Sequence, residues 1–365
     1  MIKKKNNIKG IVLFCLLAIF FILLIICVFS SDNSKKRITI KNEESQKEYI
    51  NVPEGFYYVG GTIDTGIVIS DNKDDYNKGT DYETTLKLKG NQYVWIPVDT
   101  PVAKNEDDLS NLIKKHKYPI AIEDGENYRG VLYNYTLYTE DEPFTIYKGE
   151  YDNKESESDN NREPAILTMS LYGDSEELIK YSTENLYQES FNKMVESVKN
   201  NGGFFVSRYE LGNLHTDALV SKSSQTDISN MSWVDGYNSI KKMYDSNSVT
   251  TDIIWGCQWD AIMIWLYYSD ENKEYFKQNT NDFCNHSGII SGTASNSKYC
   301  NNNIFDLIGN VSEFTQEAAY SSIRISRGGS YDYESEVLTP NIFLREKISI
   351  VYPYPNVGFR SVLIF

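Results

Sequence analysis

Residues 11–29 form an uninterrupted run of 19 uncharged residues, mostly Ile, Leu, Phe and Val, and no other feature narrows the options of this chain as far. As a helix rising about 1.5 Å per residue, such a run just crosses a hydrocarbon core about 30 Å thick. Lys3, Lys4, Lys5 and Lys9 precede it, and Lys35, Lys36 and Arg37 follow it. This small excess of positive charge on the N-terminal side favours a cytoplasmic N-terminus and a translocated body. A cleaved signal peptide competes with this reading. Its apolar region would be unusually long, however, and Ser30 and Ser31 make a poor small-x-small site. A lipoprotein signal ending at Cys27 fits badly, because Ile26 stands where a small residue is wanted. The expectation is a single-pass protein of the cell membrane. Residues 1–9 would be cytoplasmic, 10–30 an uncleaved signal-anchor held in the lipid bilayer through 11–29, 31–48 a polar stalk, and 49–365 an extracellular body.

The charge distribution agrees with that layout. The chain carries a formal charge of -15, yet residues 1–37 hold seven bases and one acid, so the remainder carries -21. A body this acidic is repelled by phosphate backbones, which excludes nucleic acid as a partner. With 41% hydrophobic and 13% aromatic residues the chain can fill a substantial core, so wholesale disorder is excluded too. Five cysteines are too few for a disulfide scaffold, and three histidines restrict histidine-based metal chemistry. Outside the cytoplasm, Cys257, Cys284 and Cys300 would meet an oxidising environment. Cys284 and Cys300 flank a polar stretch containing Gly and Ser and either pair as a disulfide or stay as thiols. The odd number leaves at least one of the three unpaired.

Local patterns place the elements. Residues 52–97 read as short strands and turns, with Gly60-Gly61 and Asp71-Asn72 as turn signals and Tyr93-Val94-Trp95-Ile96 as a strand ended by Pro97. Phe191, Met194, Val195 and Val198 recur at helical spacing, with Ser190 as the expected cap and Gly202 as the stop. Phe204-Phe205-Val206 resumes as a strand, and Trp255, Trp259, Ile262, Met263 and Leu266 imply a second helix. Residues 148–163 are charged and predict a solvated excursion. Beyond 280 the chain is rich in Gly, Asn and Ser with few periodic segments. The fold class expected is α+β with much irregular structure.

Several segments, in order, resemble the formylglycine-generating-enzyme (sulfatase-modifying-factor) family, whose fold is C-type-lectin-like. They are 203–210 (GFFVSRYE), 256–265 (GCQWDAIMIW), 303–315 (NIFDLIGNVSEFT), Arg327-Gly328-Gly329-Ser330, Arg345 and Gly358-Phe359-Arg360. Physical reasons stand beside the resemblance. Gly328 and Gly329 permit positive φ or close backbone approach. Arg327, Arg345 and Arg360 are suited to holding irregular loops by multidentate hydrogen bonds, a structural role. The resemblance implies a structural calcium on the turn 306–313, held by the carbonyls of Asp306, Gly309 and Val311 and the carboxylate of Glu313. The competing reading pairs Glu313 with an arginine. Ser312 departs from the family, which has an aromatic residue there.

The oxidases of that family hold copper(I) with two cysteines between the Arg-Gly-Gly-Ser and Gly-Phe-Arg motifs. Here the positions fall near Val337 or Leu338 and at Ile342 or Phe343, and no cysteine follows Cys300. Soft copper(I) needs thiolates, so copper and the family oxidation are not expected. A second catalytic branch uses histidine-bound iron, and His116, His215 and His286 show no ligand spacing. The function expected is a non-catalytic, membrane-anchored scaffold that binds an extracellular glycan, peptide or protein. The many tyrosines, 28 of 365 residues, suit such recognition. The alternatives are an enzyme of other chemistry on the same scaffold and a subunit that only holds partners at the membrane.

Overall fold

A computed structural model describes residues 36–41, 47–131, 133–134, 145–146, 186–213, 218–225, 229–269, 284–320, 323–332, 342 and 344–365. Its centre is a six-stranded sheet in the order Thr250–Ile253, Ser361–Ile364, Gly203–Ser207, Gln92–Pro97, Val68–Ser70, Tyr57–Gly60. Neighbours in it are antiparallel. The GFFVS strand is buried along its whole length, and its alternation assigns the two faces. Phe204 and Val206 join Val94, Ile96 and Val362 in the main core, while Phe205 joins Trp95, Tyr93 and Leu363 in a second cluster. Both faces are therefore covered, which is why this strand reads as a continuous apolar run.

The helix Leu186–Asn201 lays Phe191, Met194, Val195 and Val198 into the main core, as their spacing predicts. It starts before Ser190, which is thus no cap; its hydroxyl donates to Asp252 Oδ2 at 2.8 Å instead. Gly202 ends the helix with a φ of 76°. The second expected helix spans Gly256–Tyr268, entered from Trp255 in extended conformation and buried on nearly every side. A four-stranded sheet, in the order Arg345–Ser349, Ile323–Arg327, Ser312–Tyr320, Val357–Phe359, completes the frame. Its last pair is parallel, with Ser312 opposite Val357. The architecture is mixed α+β with several sheets and few helices.

Part of the expected stalk is not irregular. Lys36–Lys41 and Lys47–Val52 pair antiparallel, with Ile38 opposite Ile50. Ile50 and Val52 are buried in the second cluster and anchor the pair, a tertiary contact that the polar flanks conceal. The apolar run 11–29 and the excursion 148–163 lie outside the described residues. Among the described residues, no helix is long and apolar enough to cross a membrane.

Gly328 shows how closely the frame is drawn. Its φ is +87°, and a Cβ there would lie 2.6 Å from the Leu307 carbonyl oxygen. Left-handed backbone costs a side-chain-bearing residue about 1–3 kcal/mol, and the clash adds to it. Gly328→Ala should lower unfolding free energy by at least about 2 kcal/mol, read from the shift of the denaturant midpoint at constant slope.

Candidate functional site

The recognisable segments converge on two different places, one sealed and one open. The sealed place is built around Arg360, which is fully buried. Its Nε donates to both Glu313 oxygens at 2.9 Å and its Nη2 donates to Glu313 Oε1 at 2.6 Å. Nη1 donates to the Ser207 carbonyl at 2.9 Å and Nη2 also to the Phe305 carbonyl at 2.8 Å. One guanidinium thereby ties the C-terminal strand to the end of the GFFVS strand, to the segment before the 306–313 turn, and to the strand Ser312–Tyr320. Burial opposes its charge, but Glu313, then Glu210 and Asp306, outweigh that and hold its proton affinity above the ordinary value. For Glu313, burial favours the neutral acid and Arg360 opposes it.

Glu210, at the end of the first motif, clamps the turn itself. Its oxygens accept from the Asn310 amide at 2.6 Å and from the Val311 N–H at 3.1 Å. Asp306 adopts a φ of 55° and Gly309 one of 79°, and a Cβ on Gly309 would meet the Asn285 carbonyl oxygen at 2.2 Å. Asp306 Oδ2 accepts from the Ala294 N–H at 2.8 Å and the Thr293 hydroxyl at 3.0 Å. Burial nonetheless pushes its acid up to about 6, against those two hydrogen bonds and Arg360.

The calcium set fits this geometry poorly. Glu313 is the only side-chain ligand in it, and both of its oxygens are bound by a guanidinium. A divalent ion would have to share that single neutralised carboxylate with Arg360. Among the described residues no group of three or more His, Cys, Asp or Glu is placed to hold a metal ion. The pairing reading of Glu313 is the one that the contacts support.

The other arginines divide similar work. Arg327, buried, donates through Nη2 to Asp260 Oδ1 at 3.1 Å and lies 5.8 Å from the Trp259 ring centre, joining the four-stranded sheet to the helix Gly256–Tyr268. Arg345 pairs with Glu317. Two further arginines carry the same role without having been singled out. Arg208 reaches Gln92, Thr85 and both the carbonyl and amide oxygen of Asn303. Arg324 lies 4.7 Å from the Trp233 ring centre and 5.5 Å from that of Tyr187. The signal for Arg208 was its place inside GFFVSRYE; Arg324 has none beyond an IRIS pattern that aims it inward. Ser312 is buried and its N–H donates to the Asn356 carbonyl at 2.9 Å.

Cys284 and Cys300 stand as free thiols and do not form the bridge left open above. Cys284 belongs to the main core, whereas Cys300 packs against the small cluster of Tyr209, Ala294 and Phe305. Burial pushes them up to about 12 and about 11, so neither is a reactive thiolate. The position matching a copper cysteine, Ile342, is buried, and its carbonyl accepts the Trp259 indole N–H at 3.0 Å. Val337, Leu338, Phe343 and His215 lie outside the described residues.

The open place is a cleft of about 250 Å³. Ala261, Ile264, Trp265 and Tyr268 line it at spacings of three and four, so one face of the helix Gly256–Tyr268 forms its floor. Residues 97–100 and 116–118 form a wall, and Asp64 and Ser269 also line it. Tyr118 and Tyr268 stack at 26° with centroids 5.7 Å apart, and their hydroxyls hydrogen-bond at 2.7 Å. His116 Nδ1 lies 3.3 Å from the Tyr268 hydroxyl. Burial raises both tyrosine acids, so their hydroxyls stay protonated. Sequence reasoning did not select this cleft, because its wall and floor come from residues about 150 positions apart.

Two outcomes follow for the sealed place. Glu313→Gln leaves Arg360 buried without its counter-charge and should cost about 3–5 kcal/mol, equally with calcium and with a chelator present. A calcium-dependent difference in melting would restore the metal reading. Burial holds Asp306 near 6 in the folded protein against the ordinary 3.8 of an unfolded aspartate, so its contribution falls as pH rises through that window and is constant above it. Asp306→Asn should therefore gain up to about 3 kcal/mol relative to the parent between about pH 4 and pH 6.5, measured by urea titrations across pH.

No family model matches the chain, and neither does any curated protein. Solved structures with similar backbones include CarF, at 13% identity over 45% of this chain and 87% of that one, with a TM-score of 0.32. PvdO from Pseudomonas aeruginosa is similar at 13% identity over 45% and 82%, TM-score 0.31. Treponema denticola variable protein 1 is similar at 18% identity over 49% and 69%, TM-score 0.25. Likeness of this extent carries no argument about activity.

Proposed function

We propose that this chain is a membrane-anchored, outward-facing domain on the sulfatase-modifying-factor scaffold that binds a ligand without transforming it. The observation that carries this reading is that the charged residues of the motif network are sealed away from the open cleft. Glu210, Asp306, Glu313, Arg327 and Arg360 are at most 1% exposed, with Glu313 held by Arg360, Arg327 by Asp260, and Glu210 and Asp306 by groups of the surrounding turns. The open cleft is lined by Tyr118, Trp265, Tyr268 and His116, with Asp64, Asp99 and Lys117 beside them, and none of these belongs to that buried set. Rings with polar tips supply contact area at low entropic cost, which suits recognition. The absence of any cysteine after Cys300 argues in the same direction, since copper(I) oxidation needs a thiolate pair. The uncharged run 11–29 supplies the anchor and the acidic remainder the translocated body.

The test uses the full chain in lipid nanodiscs. Incubation with a sulfatase-type cysteine peptide and copper should yield no formylglycine, and protease applied to intact cells should release the body while leaving residues 1–30 attached to the membrane. Copper-dependent formylglycine traced to this chain, or a mature N-terminus near residues 28–32, would overturn the respective half of the reading.

A further inference from the structure

We infer that the cleft between residues 97–100, residues 116–118 and the helix Gly256–Tyr268 is a binding site for a neutral carbohydrate ring. This assignment rests on the binding-scaffold reading and names the ligand class of the same cleft.

The lining combines ring faces with both signs of hydrogen-bonding group. Tyr118, Trp265 and Tyr268 supply aromatic surface, Asp64 and Asp99 supply acceptors, and Thr100 and Lys117 supply donors, while the Ser269 hydroxyl donates to the Leu266 carbonyl at 2.8 Å. A purely apolar ligand would strip water from Asp99 and Lys117 without replacing it, which is costly. An anion would face two carboxylates in a chain of net charge -15. A cation would gain from the ring faces but meet the Lys117 ammonium at the same wall. A sugar ring answers every part of the lining. Its C–H face packs on an aromatic plane, and its hydroxyls both donate to carboxylates and accept from lysine and threonine.

The cleft is also held in shape. His116 has a φ of 55°, in the left-handed position that closes the helix Glu106–Ile113, where glycine is usual. Its N–H donates to the Ile113 carbonyl at 2.9 Å, and the next N–H, of Lys117, to the Leu112 carbonyl at 3.0 Å. Histidine in that conformation is strained where glycine would not be, and the imidazole meets the Tyr268 hydroxyl 152 residues away. A residue kept in an unfavoured conformation at a cleft wall points to use of its side chain there. Tyr268, 45% exposed, presents its ring at the mouth.

The experiment is saturation-transfer NMR on the full chain in nanodiscs with four probes: chitobiose, cellobiose, maltose and lactose. Saturation should reach the ring C–H protons of at least one. Tyr268→Ala, at a half-exposed position, should leave the melting temperature in place and weaken that probe by about tenfold or more. Tyr268→Phe keeps the ring and should stay within about threefold of the parent. Transfer to none of the four, or transfer indifferent to Tyr268→Ala, overturns the assignment. If short peptides show Tyr268-dependent transfer where all sugars fail, the carbohydrate assignment falls and the binding-scaffold reading stands. If peptides and sugars both fail, both fall.

Discussion

A fold with this much irregular chain depends on one fully buried guanidinium. Turns and short strands leave carbonyls that no ladder satisfies, and leaving them dry and unpaired inside the protein is expensive. Arg360 answers with donors spread in a plane, reaching Ser207, Phe305 and Glu313 at once. Lysine could not replace it, because here three separate nitrogens, Nε, Nη1 and Nη2, each reach a different partner, and an ammonium gathers all its donors on one atom. Its position next to the strand Ser361–Ile364 matters equally, because that strand is an interior member of the six-stranded sheet. The last residues of the chain therefore lock the turn 306–313 to the sheet.

What the sequence displayed most clearly was what repeats or what is chemically unusual. The helix containing Phe191 and Val198 was legible from spacing, and the GFFVS strand from its apolar run. Gly328 was legible because only a residue without Cβ survives 2.6 Å from a carbonyl oxygen. Arg327 and Arg360 were legible as structural residues, but their partners were not. Asp260 sits inside an otherwise apolar helix, and Glu210 follows a strand, so neither announces whom it meets across the fold. Ser190 misled as a cap because serine serves caps and tertiary hydrogen bonds equally well. The pairing of Lys36–Lys41 with Lys47–Val52 was hidden because polar residues dominate it, although Ile50 and Val52 reach the core.

The same contacts explain why the motif residues make a poor place for chemistry. A catalytic carboxylate must meet its substrate, and Glu313 and Asp306 meet only protein. Asp306 pays the desolvation cost that an active-site acid would, since burial pushes it up to about 6, yet no opening leads to it among the described residues. A displaced pKa is a signature of function only where a cleft accompanies it. Here the displacement is the by-product of packing a turn, held by the N–H of Ala294 and the hydroxyl of Thr293, into the interior.

The helix Gly256–Tyr268 joins the two regimes. Trp259, Asp260 and Met263 face Arg327, so that side belongs to the sealed frame. Ala261, Ile264, Trp265 and Tyr268 floor the cleft, so the other side belongs to the open place. The period of 3.6 residues keeps these sets apart on one rigid element, which holds the floor in place even when the walls change. The walls come from the short segments 97–100 and 116–118, the first leaving the central sheet directly after Pro97 and the second closing a helix. Substitutions at the wall thus change the lining of the cleft without touching the guanidinium network that keeps the fold together, and the two can vary independently.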